Sequence, residues 1–254
     1  MAAKSEEGGV LETLKTIVYA LLLAGLIRTL LFQPFYIPSG SMKPTLLIGD
    51  FLFVNKFAYG YSRHSCPFSI CPFEGRIFFS EPERGDIIVF RNPNNNVDYI
   101  KRLVGLPGDR VQMIDGRLHL NGEEVPNQPE GLFLEPRTRD TRCTNDRRSN
   151  PSLCEKAQFV ETFPGGEGHL VLDAGPSGND NTGVFVVPEG RYFFMGDNRD
   201  NSTDSRVLPN RGGVGYVPKD YLIGRASRVM FSSAGSTLFA FWTWRSDRFF
   251  KSIN

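Results

Sequence analysis

The chain has 254 residues and a formal net charge of +1, so its composition gives no electrostatic support for a nucleic-acid partner. A mean hydropathy of -0.25 excludes a protein with many membrane spans but allows a single span. The 26 glycines and 17 prolines separate short runs of Val, Ile, Phe and Tyr. This pattern favours a β-rich fold with many loops.

One long apolar run follows the polar residues 1–15, and we predict a transmembrane anchor over 16–34. A cleavable signal peptide is the first alternative, but bulky residues, and no Ala-X-Ala site, follow the run. A buried core helix is the second alternative, since Arg28 interrupts the run. Because Arg28 lies near one end, its side chain can reach the lipid headgroups. Residues 1–15 are then expected to be a short cytoplasmic N-terminus.

All four cysteines follow the apolar run and form two close pairs, Cys66 with Cys71 and Cys143 with Cys154. A zinc site is the competing interpretation, but the spacings do not match the usual pattern and His64 is the only nearby imidazole. Two disulfides require an oxidising compartment, which places the C-terminal part outside the cytoplasm. Four cysteines allow three connectivities, so the pairing itself stays open.

Strand signals are frequent after the apolar run and predict an antiparallel meander. The strand-like runs are 51–54, 86–91, 99–104, 183–187 and 191–195. Asp115-Gly116 and Asn121-Gly122 are typical of hairpin turns, and each lies between short alternating runs.

Residues from about 126 to 182 are instead rich in Pro, Gly, Asn and Arg, and their arginines are expected to form a solvated loop surface. We predict an inserted β-rich and loop subdomain over 114–187, within a core formed by 35–113 and 188–254. The aromatic and basic tail, 238–251, either packs on that core as a last strand and helix or rests in a membrane interface.

The loop Pro38-Ser-Gly-Ser-Met-Lys-Pro-Thr45 lies directly after the predicted anchor, and its Ser41 is a candidate nucleophile. A serine hydroxyl needs a base to take its proton. The three histidines, His64, His119 and His169, have no recognisable triad context, so a Ser-His-Asp site stays possible but unsupported.

A lysine can also serve as the base if burial lowers its pKa toward the working pH. Lys101 is the best candidate, because apolar residues flank it on a predicted strand. Lys43 and Lys56 lie in more turn-like or exposed contexts and are weaker candidates.

Five segments resemble the bacterial type I signal peptidases of peptidase family S26, and they occur in that family's order. The segments are Pro38–Leu46, Gly49–Phe57, Arg84–Phe90, Tyr99–Asp109 and Gly196–Arg206. The resemblance covers 35–111 and 191–228, whereas the insertion carries no diagnostic motif. It implies a mainly β catalytic core of antiparallel sheet and a membrane-bound serine endopeptidase. Such enzymes cleave signal peptides from exported preproteins after Ala-X-Ala-like sites.

The resemblance also implies roles for individual residues. Ser41 matches the nucleophile and Lys101 the general base, while Ser39 and the backbone N–H of Ser41 match the oxyanion hole. Ser202 matches the hydroxyl that orients the lysine amine. The charges that match structural supports are Asp197, Asp204, Arg102 and Arg206. The residues that match groove positions, and that could equally be ordinary core, are Phe35, Ile37, Leu52, Val89, Tyr99 and Ile100.

The same resemblance implies a single-pass protein of the bacterial inner (cytoplasmic) membrane with its catalytic domain on the periplasmic side. Preproteins and lipid are the implied partners, in proximity to the secretion translocon, with no metal or cofactor. A self-cleaving Ser-Lys protease of the repressor type is one alternative, and the anchor and cysteines argue against it. An inactive membrane-tethered module that binds export substrates is another, and the set of Ser41, Lys101 and Ser202 argues against it.

Overall fold

The structure is a computed structural model that describes residues 6–65, 74–138, 141–148, 150–235 and 240–253. Within these ranges, one long helix precedes a fold made mainly of antiparallel strands, which confirms the predicted fold class. The helix is α1 (Glu6–Leu30). The strands are β1 (Phe32–Tyr36), β2 (Asp50–Asn55), β3 (Tyr61–Ser62), β4 (Arg76–Ile77), β5 (Ile87–Arg91), β6 (Asp98–Gly105), β7 (Arg110–Ile114), β8 (Arg117–Leu120), β9 (Glu123–Glu124), β10 (Asn127–Pro136), β11 (Leu153–Thr162), β12 (Gly168–Asp173), β13 (Phe185–Val186), β14 (Arg191–Met195), β15 (Val217–Pro218) and β16 (Leu222–Ser232).

Helix α1 begins ten residues before the predicted anchor and ends before its predicted end at residue 34. Residues 32–36 form β1 instead, because Pro34 has no N–H to continue a helix and the segment pairs along its whole length with β2. Within the described residues, Gly9–Leu26 is the one window long and apolar enough to cross a membrane, and none of it is buried against protein. A helix of 25 residues is about 38 Å long, which exceeds the roughly 30 Å of a bilayer core.

The largest sheet of the described chain has the order β1-β2-β16-β5-β6-β14-β15 and is antiparallel throughout. The predicted simple meander is therefore wrong for this sheet, since β16 from the far end of the chain lies between β2 and β5. Local patterns reveal strands but not which distant strand separates two neighbours in sequence. The prediction holds for β7, β8 and β9, which are consecutive and joined at Asp115-Gly116 and Asn121-Gly122. Asp115 and Gly116 both have positive φ, as a two-residue hairpin turn of this kind requires.

The insertion contains more regular structure than its composition suggested. Strands β10, β11 and β12 form a three-stranded sheet, and β13, β7, β8 and β9 form a four-stranded sheet. Strand β7, which ends at Ile114, pairs in this second sheet and not in the large sheet. Both β10 and β11 are ten residues long, and they place the charged side chains of Glu135, Lys156 and Glu161 in buried positions.

A disulfide joins Cys143 to Cys154, with their Cα atoms 5.2 Å apart. It links the loop after β10 to the start of β11. The other predicted pair, Cys66 and Cys71, lies outside the described residues.

The aromatic tail forms two short 3-10 turns, Phe241–Thr243 and Ser246–Arg248, rather than a strand and a helix. Trp242 is 74% exposed, whereas the Arg248 guanidinium is buried and donates to both carboxylate oxygens of Asp50 at 3.0 and 2.5 Å. This buried ion pair fixes the tail to the start of β2, so Arg248 is not part of a basic surface.

Candidate active site

The loop that carries Ser41 is held from below by apolar side chains. Met42 and Leu46 are buried in a core cluster with Ile37 and residues of β2, β5 and β16. Backbone bonds close the loop at its base, since the Ile37 N–H donates to Asp50 at 2.9 Å and the Gly49 N–H donates to Ile37 at 3.0 Å. Ser41 itself keeps 8% of its surface exposed. The loop therefore presents a nearly buried hydroxyl at a fixed position.

Lys101 lies on β6 and points at this hydroxyl. Its Nζ is 2.6 Å from Ser41 Oγ, although the two residues are 60 positions apart in sequence. A second bond runs from Nζ to the Ile100 carbonyl at 3.1 Å. Only 4% of Lys101 is exposed, so water solvates the amine poorly. A neutral amine in this position has N–H groups for the carbonyl and a lone pair for the Ser41 proton.

Burial lowers the pKa of Lys101 from its ordinary value of 10.5 to about 8. The carboxylates of Asp204 and Asp197 oppose this change and Arg206 adds to it, each with a smaller effect than burial. A substantial fraction of the amine is therefore neutral near pH 8, which a lysine must be to act as a general base.

The two carboxylates are each matched by a buried arginine. Arg102 donates to both oxygens of Asp197 at 2.8 Å, and Arg206 donates to both oxygens of Asp204 at 3.0 and 2.9 Å. Burial alone would raise the pKa values of both aspartates, but the arginines outweigh it and hold them below their ordinary range. Because each negative charge has its own partner, neither is free to restore the full positive charge on Lys101.

The hydroxyls of Ser39 and Ser202 were also predicted for the site. Ser39 Oγ is 3.5 Å from Ser41 Oγ, at the limit of a hydrogen bond, and faces the same cavity. Ser202 is buried beside Gly196, yet the hydrogen bonds described for the Lys101 amine go to Ser41 and Ile100 and not to Ser202. The structure thus brings Ser202 into the site without the predicted bond to the lysine.

An apolar cavity of about 380 Å³ opens in front of Ser41 and Lys101. Five of the predicted groove residues line it: Phe35, Ile37, Val89, Tyr99 and Ile100. The sixth, Leu52, is not among the lining residues, and its side chain is buried in the core cluster.

Histidines take no part in this constellation among the described residues. His169 is buried in the insertion, stacks on Phe163 at 4.7 Å between ring centroids and lies 3.4 Å from a Glu161 oxygen. His64 stacks on Tyr221, and His119 lies on β8. The hydroxyl contacts described for Ser41 are to Lys101 and Ser39.

Several residues of the site were not singled out by the sequence. A Cβ on Gly196 would lie 2.3 Å from Ser202 Oγ and 2.6 Å from the Ser41 carbonyl oxygen, so this position accepts only glycine without movement. The Asn198 N–H donates to that same carbonyl at 3.1 Å. Thr45 donates to Asp197 at 2.5 Å. All three residues lie inside the matching segments, where a role for each could have been sought.

Comparisons with known proteins give the family context for this geometry. Residues 10–231 match the family model described as "Signal peptidase, peptidase S26". The signal peptidase I of Rickettsia typhi is 41% identical over 225 residues, which are 85% of this chain and 78% of that protein. The signal peptidase I of Rickettsia akari is 42% identical over 225 residues, which are 85% of this chain and 77% of that protein. A crystal structure of a signal peptidase I from Enterococcus faecalis is 26% identical, covers 57% of this chain and 97% of that chain, and has a TM-score of 0.31. Since the family model spans most of the sequence and the Rickettsia proteins match over more than two thirds of both chains, the chain belongs to the peptidase S26 family of signal peptidases.

Proposed function

We propose that this protein is a membrane-bound serine endopeptidase that removes N-terminal signal peptides from exported preproteins, with Ser41 and Lys101 as its catalytic dyad. The observation that carries the proposal is the 2.6 Å contact between a buried lysine amine and a serine hydroxyl at the wall of an apolar cavity. Membership in the signal peptidase family supplies the substrate class.

The reaction is an acyl transfer in two halves. Lys101 Nζ takes the Ser41 proton while Ser41 Oγ attacks the scissile carbonyl carbon, and the resulting ammonium gives a proton to the leaving amine as the C–N bond breaks. A water molecule then loses a proton to Lys101 and attacks the acyl carbon, the bond from that carbon to Ser41 Oγ breaks, and the Lys101 ammonium returns the proton to Ser41 Oγ. The Ser39 hydroxyl and the Ser41 N–H stabilise the oxyanion in both halves, and one such donor typically accounts for about 3–4 kcal/mol.

The cavity suits an extended peptide with small apolar side chains. An extended chain directs alternate side chains to one face, so a sequence of the Ala-X-Ala type places both alanines against the apolar wall. The wall is formed in part by the apolar side chains of Phe35, Ile37, Val89, Tyr99 and Ile100. Bulky wall residues leave room for methyl groups and exclude large side chains.

Helix α1 is the proposed membrane anchor, a single span in the inner membrane that leads directly into β1 and the Ser41 loop. The Cys143–Cys154 disulfide supports a catalytic domain in the oxidising periplasm. The anchor then holds the dyad close to the lipid surface, where preproteins emerge from the secretion translocon.

The decisive experiment incubates the purified protein in detergent with a preprotein whose signal peptide ends in Ala-X-Ala. We expect the wild-type protein to release the mature protein with its N-terminus directly after the second alanine, as N-terminal sequencing would show. Ser41→Ala should reduce this processing by at least about 10⁴-fold, since the remaining groups cannot form an acyl-enzyme. Undiminished processing by Ser41→Ala would overturn the assignment of the nucleophile.

A further inference from the structure

A chain of buried polar contacts connects the insertion to the loop of Ser41. The side-chain amide of Asn198 donates from Nδ2 to the Gly40 carbonyl at 2.8 Å. The carbonyl of Gly40 and the N–H of Ser41 belong to one peptide unit, which is planar. A donor that fixes the carbonyl therefore fixes the direction of the N–H as well. That N–H is the proposed backbone donor of the oxyanion hole.

The orientation of the Asn198 amide is in turn set by the insertion. Lys156 on β11 donates from Nζ to Asn198 Oδ1 at 3.2 Å, and an ammonium can only donate, so the oxygen must face the lysine and the nitrogen must face Gly40. Lys156 is 1% exposed and forms an ion pair with Glu135 Oε1 at 2.7 Å. The other oxygen of Glu135 contacts Lys43 Nζ, which lies two residues after Ser41.

Glu135 stays ionised between these two lysines. Burial acts to raise its pKa, but hydrogen bonds and charge from Lys156 and Lys43 outweigh this and hold the pKa below its ordinary value. The Glu135 carboxylate thus links the insertion to the Ser41 loop through Lys43, and it fixes the position of the Lys156 amine. Glu135 and Lys156 come from neighbouring paired strands, where Glu135 is opposite Cys154 and Lys156 is opposite Phe133.

We infer that Lys156 and Glu135 are positioning residues for the oxyanion hole, acting through Asn198 on the Gly40–Ser41 peptide. The inference rests on the proposed function, since it takes Ser41 as the nucleophile. It gives the insertion a defined part in the reaction, although none of its residues lines the described cavity. The charges that shift the pKa of Lys101 are those of Asp204, Asp197 and Arg206. Lys156 and Glu135 therefore act on the oxyanion hole and not on the base.

The test measures kcat and KM separately for processing of the same preprotein, together with the pH dependence of kcat. Lys156→Met removes the donor to Asn198 and keeps the length of the side chain. We expect kcat to fall about tenfold or more with KM within about twofold, because an oxyanion donor acts in the transition state and not on bound substrate. The acid midpoint of the pH profile should stay at its wild-type value.

Asn198→Asp is the second variant, and its side chain has nearly the same shape as that of asparagine. It places a carboxylate oxygen, which cannot donate, opposite the Gly40 carbonyl, and we expect kcat to fall by about 10²-fold. Glu135→Gln leaves Lys156 in place and should have a smaller effect than Lys156→Met. Asn198→Asp and Glu135→Gln decide the question if Lys156→Met does not fold.

Arg84→Met is the matched control, because it breaks the Arg84–Asp109 ion pair of 2.9 Å, and the bonds described for Arg84 go to Asp109 and Val104 and not to the Ser41 loop. We expect its kcat to equal that of the wild type. The inference is overturned if Lys156→Met and Asn198→Asp keep full kcat, if the acid midpoint shifts in Lys156→Met, or if Arg84→Met loses as much kcat as they do. These results are distinct from failure of the proposed function, in which the wild-type protein itself would not process the preprotein.

Discussion

The pH dependence of cleavage follows directly from the burial of Lys101. The neutral amine is the reactive form, and the pKa of Lys101 is lowered to about 8. Lowering the pH therefore removes the base by protonation, without any change in the fold. We expect kcat/KM to fall through a single ionisation on the acid side.

The magnitude follows from the titration of one group. With a pKa of about 8, roughly 90% of the amine is neutral at pH 9, half at pH 8 and about 1% at pH 6. The rate should thus drop about tenfold per pH unit below pH 7 and reach a plateau above about pH 9. A lysine at its ordinary value of 10.5 would be only about 0.3% neutral at pH 8, so burial increases the reactive fraction there more than a hundredfold.

The assay is the initial rate of preprotein processing at low substrate concentration from pH 5 to pH 10, in buffers of constant ionic strength. Far-ultraviolet circular dichroism at each pH serves as the control for folding. A rate that does not change between pH 6 and pH 8, or that still rises about tenfold between pH 9 and pH 10, would refute a buried neutral lysine as the base.

The same pKa has a consequence for stability, with the sign opposite to that of most ion pairs. The pKa of Lys101 is lower in the folded state than in the unfolded state, so the unfolded state binds more protons between about pH 8 and 10.5. Burial of the ammonium therefore reduces the free energy of unfolding. This destabilisation is complete below pH 8 and disappears as the pH rises to 10.5. It corresponds to about 3 kcal/mol at most. Lys101→Met should accordingly raise the melting temperature at pH 7 while abolishing activity.

Three further predictions concern Ser39, Gly196 and the disulfide. Ser39→Ala should lower kcat by about 10²-fold with little change in KM, because it removes a donor to the oxyanion. An unchanged kcat would remove Ser39 from the oxyanion hole. Gly196→Ala should lower kcat and cost about 1–3 kcal/mol of stability, because its Cβ would meet the Ser41 carbonyl oxygen at 2.6 Å. Gly178→Ala, where a Cβ meets nothing within 4 Å, is its control, and equal behaviour of the two variants would contradict the steric argument. Peptide mapping without reductant should recover Cys143 and Cys154 in one cross-linked peptide, whereas free thiols at both would argue against the periplasmic location.

Local patterns in the sequence predicted much of the fold near the dyad. The apolar runs at 86–91 and 99–104 correspond to β5 and β6, and Asp115-Gly116 forms the predicted turn. The position of β16 between β2 and β5 was not predictable in this way, because pairing between distant strands depends on the packing of the whole sheet. Helix α1 also begins before the predicted anchor, because Glu6, Glu7, Gly8 and Gly9 open the helix without any apolar side chain.

The sequence likewise predicted some residues of the candidate site and not others. Ser41 and Lys101 stand in distinctive segments, and apolar neighbours on a predicted strand made Lys101 the best candidate for a buried base. Glu135 and Lys156 gave no such signal, because a charged residue on a strand is usually solvated. Their burial arises only when the sheet of the insertion packs against the loop that carries Asn198, which the sequence does not reveal.

The most direct test of the account compares two buried lysines that share the same lowered pKa. Lys56 also has its pKa lowered to about 8, mainly by burial, but its amine donates to the backbone carbonyls of Arg28 and Ser65 and not to Ser41. The measurement is the rate of preprotein processing at pH 8 by Lys101→Met and by Lys56→Met. We predict that Lys101→Met is inactive and folded, while Lys56→Met processes the preprotein at close to the wild-type rate. Processing by Lys101→Met at a rate similar to that of Lys56→Met would contradict the Ser41–Lys101 dyad.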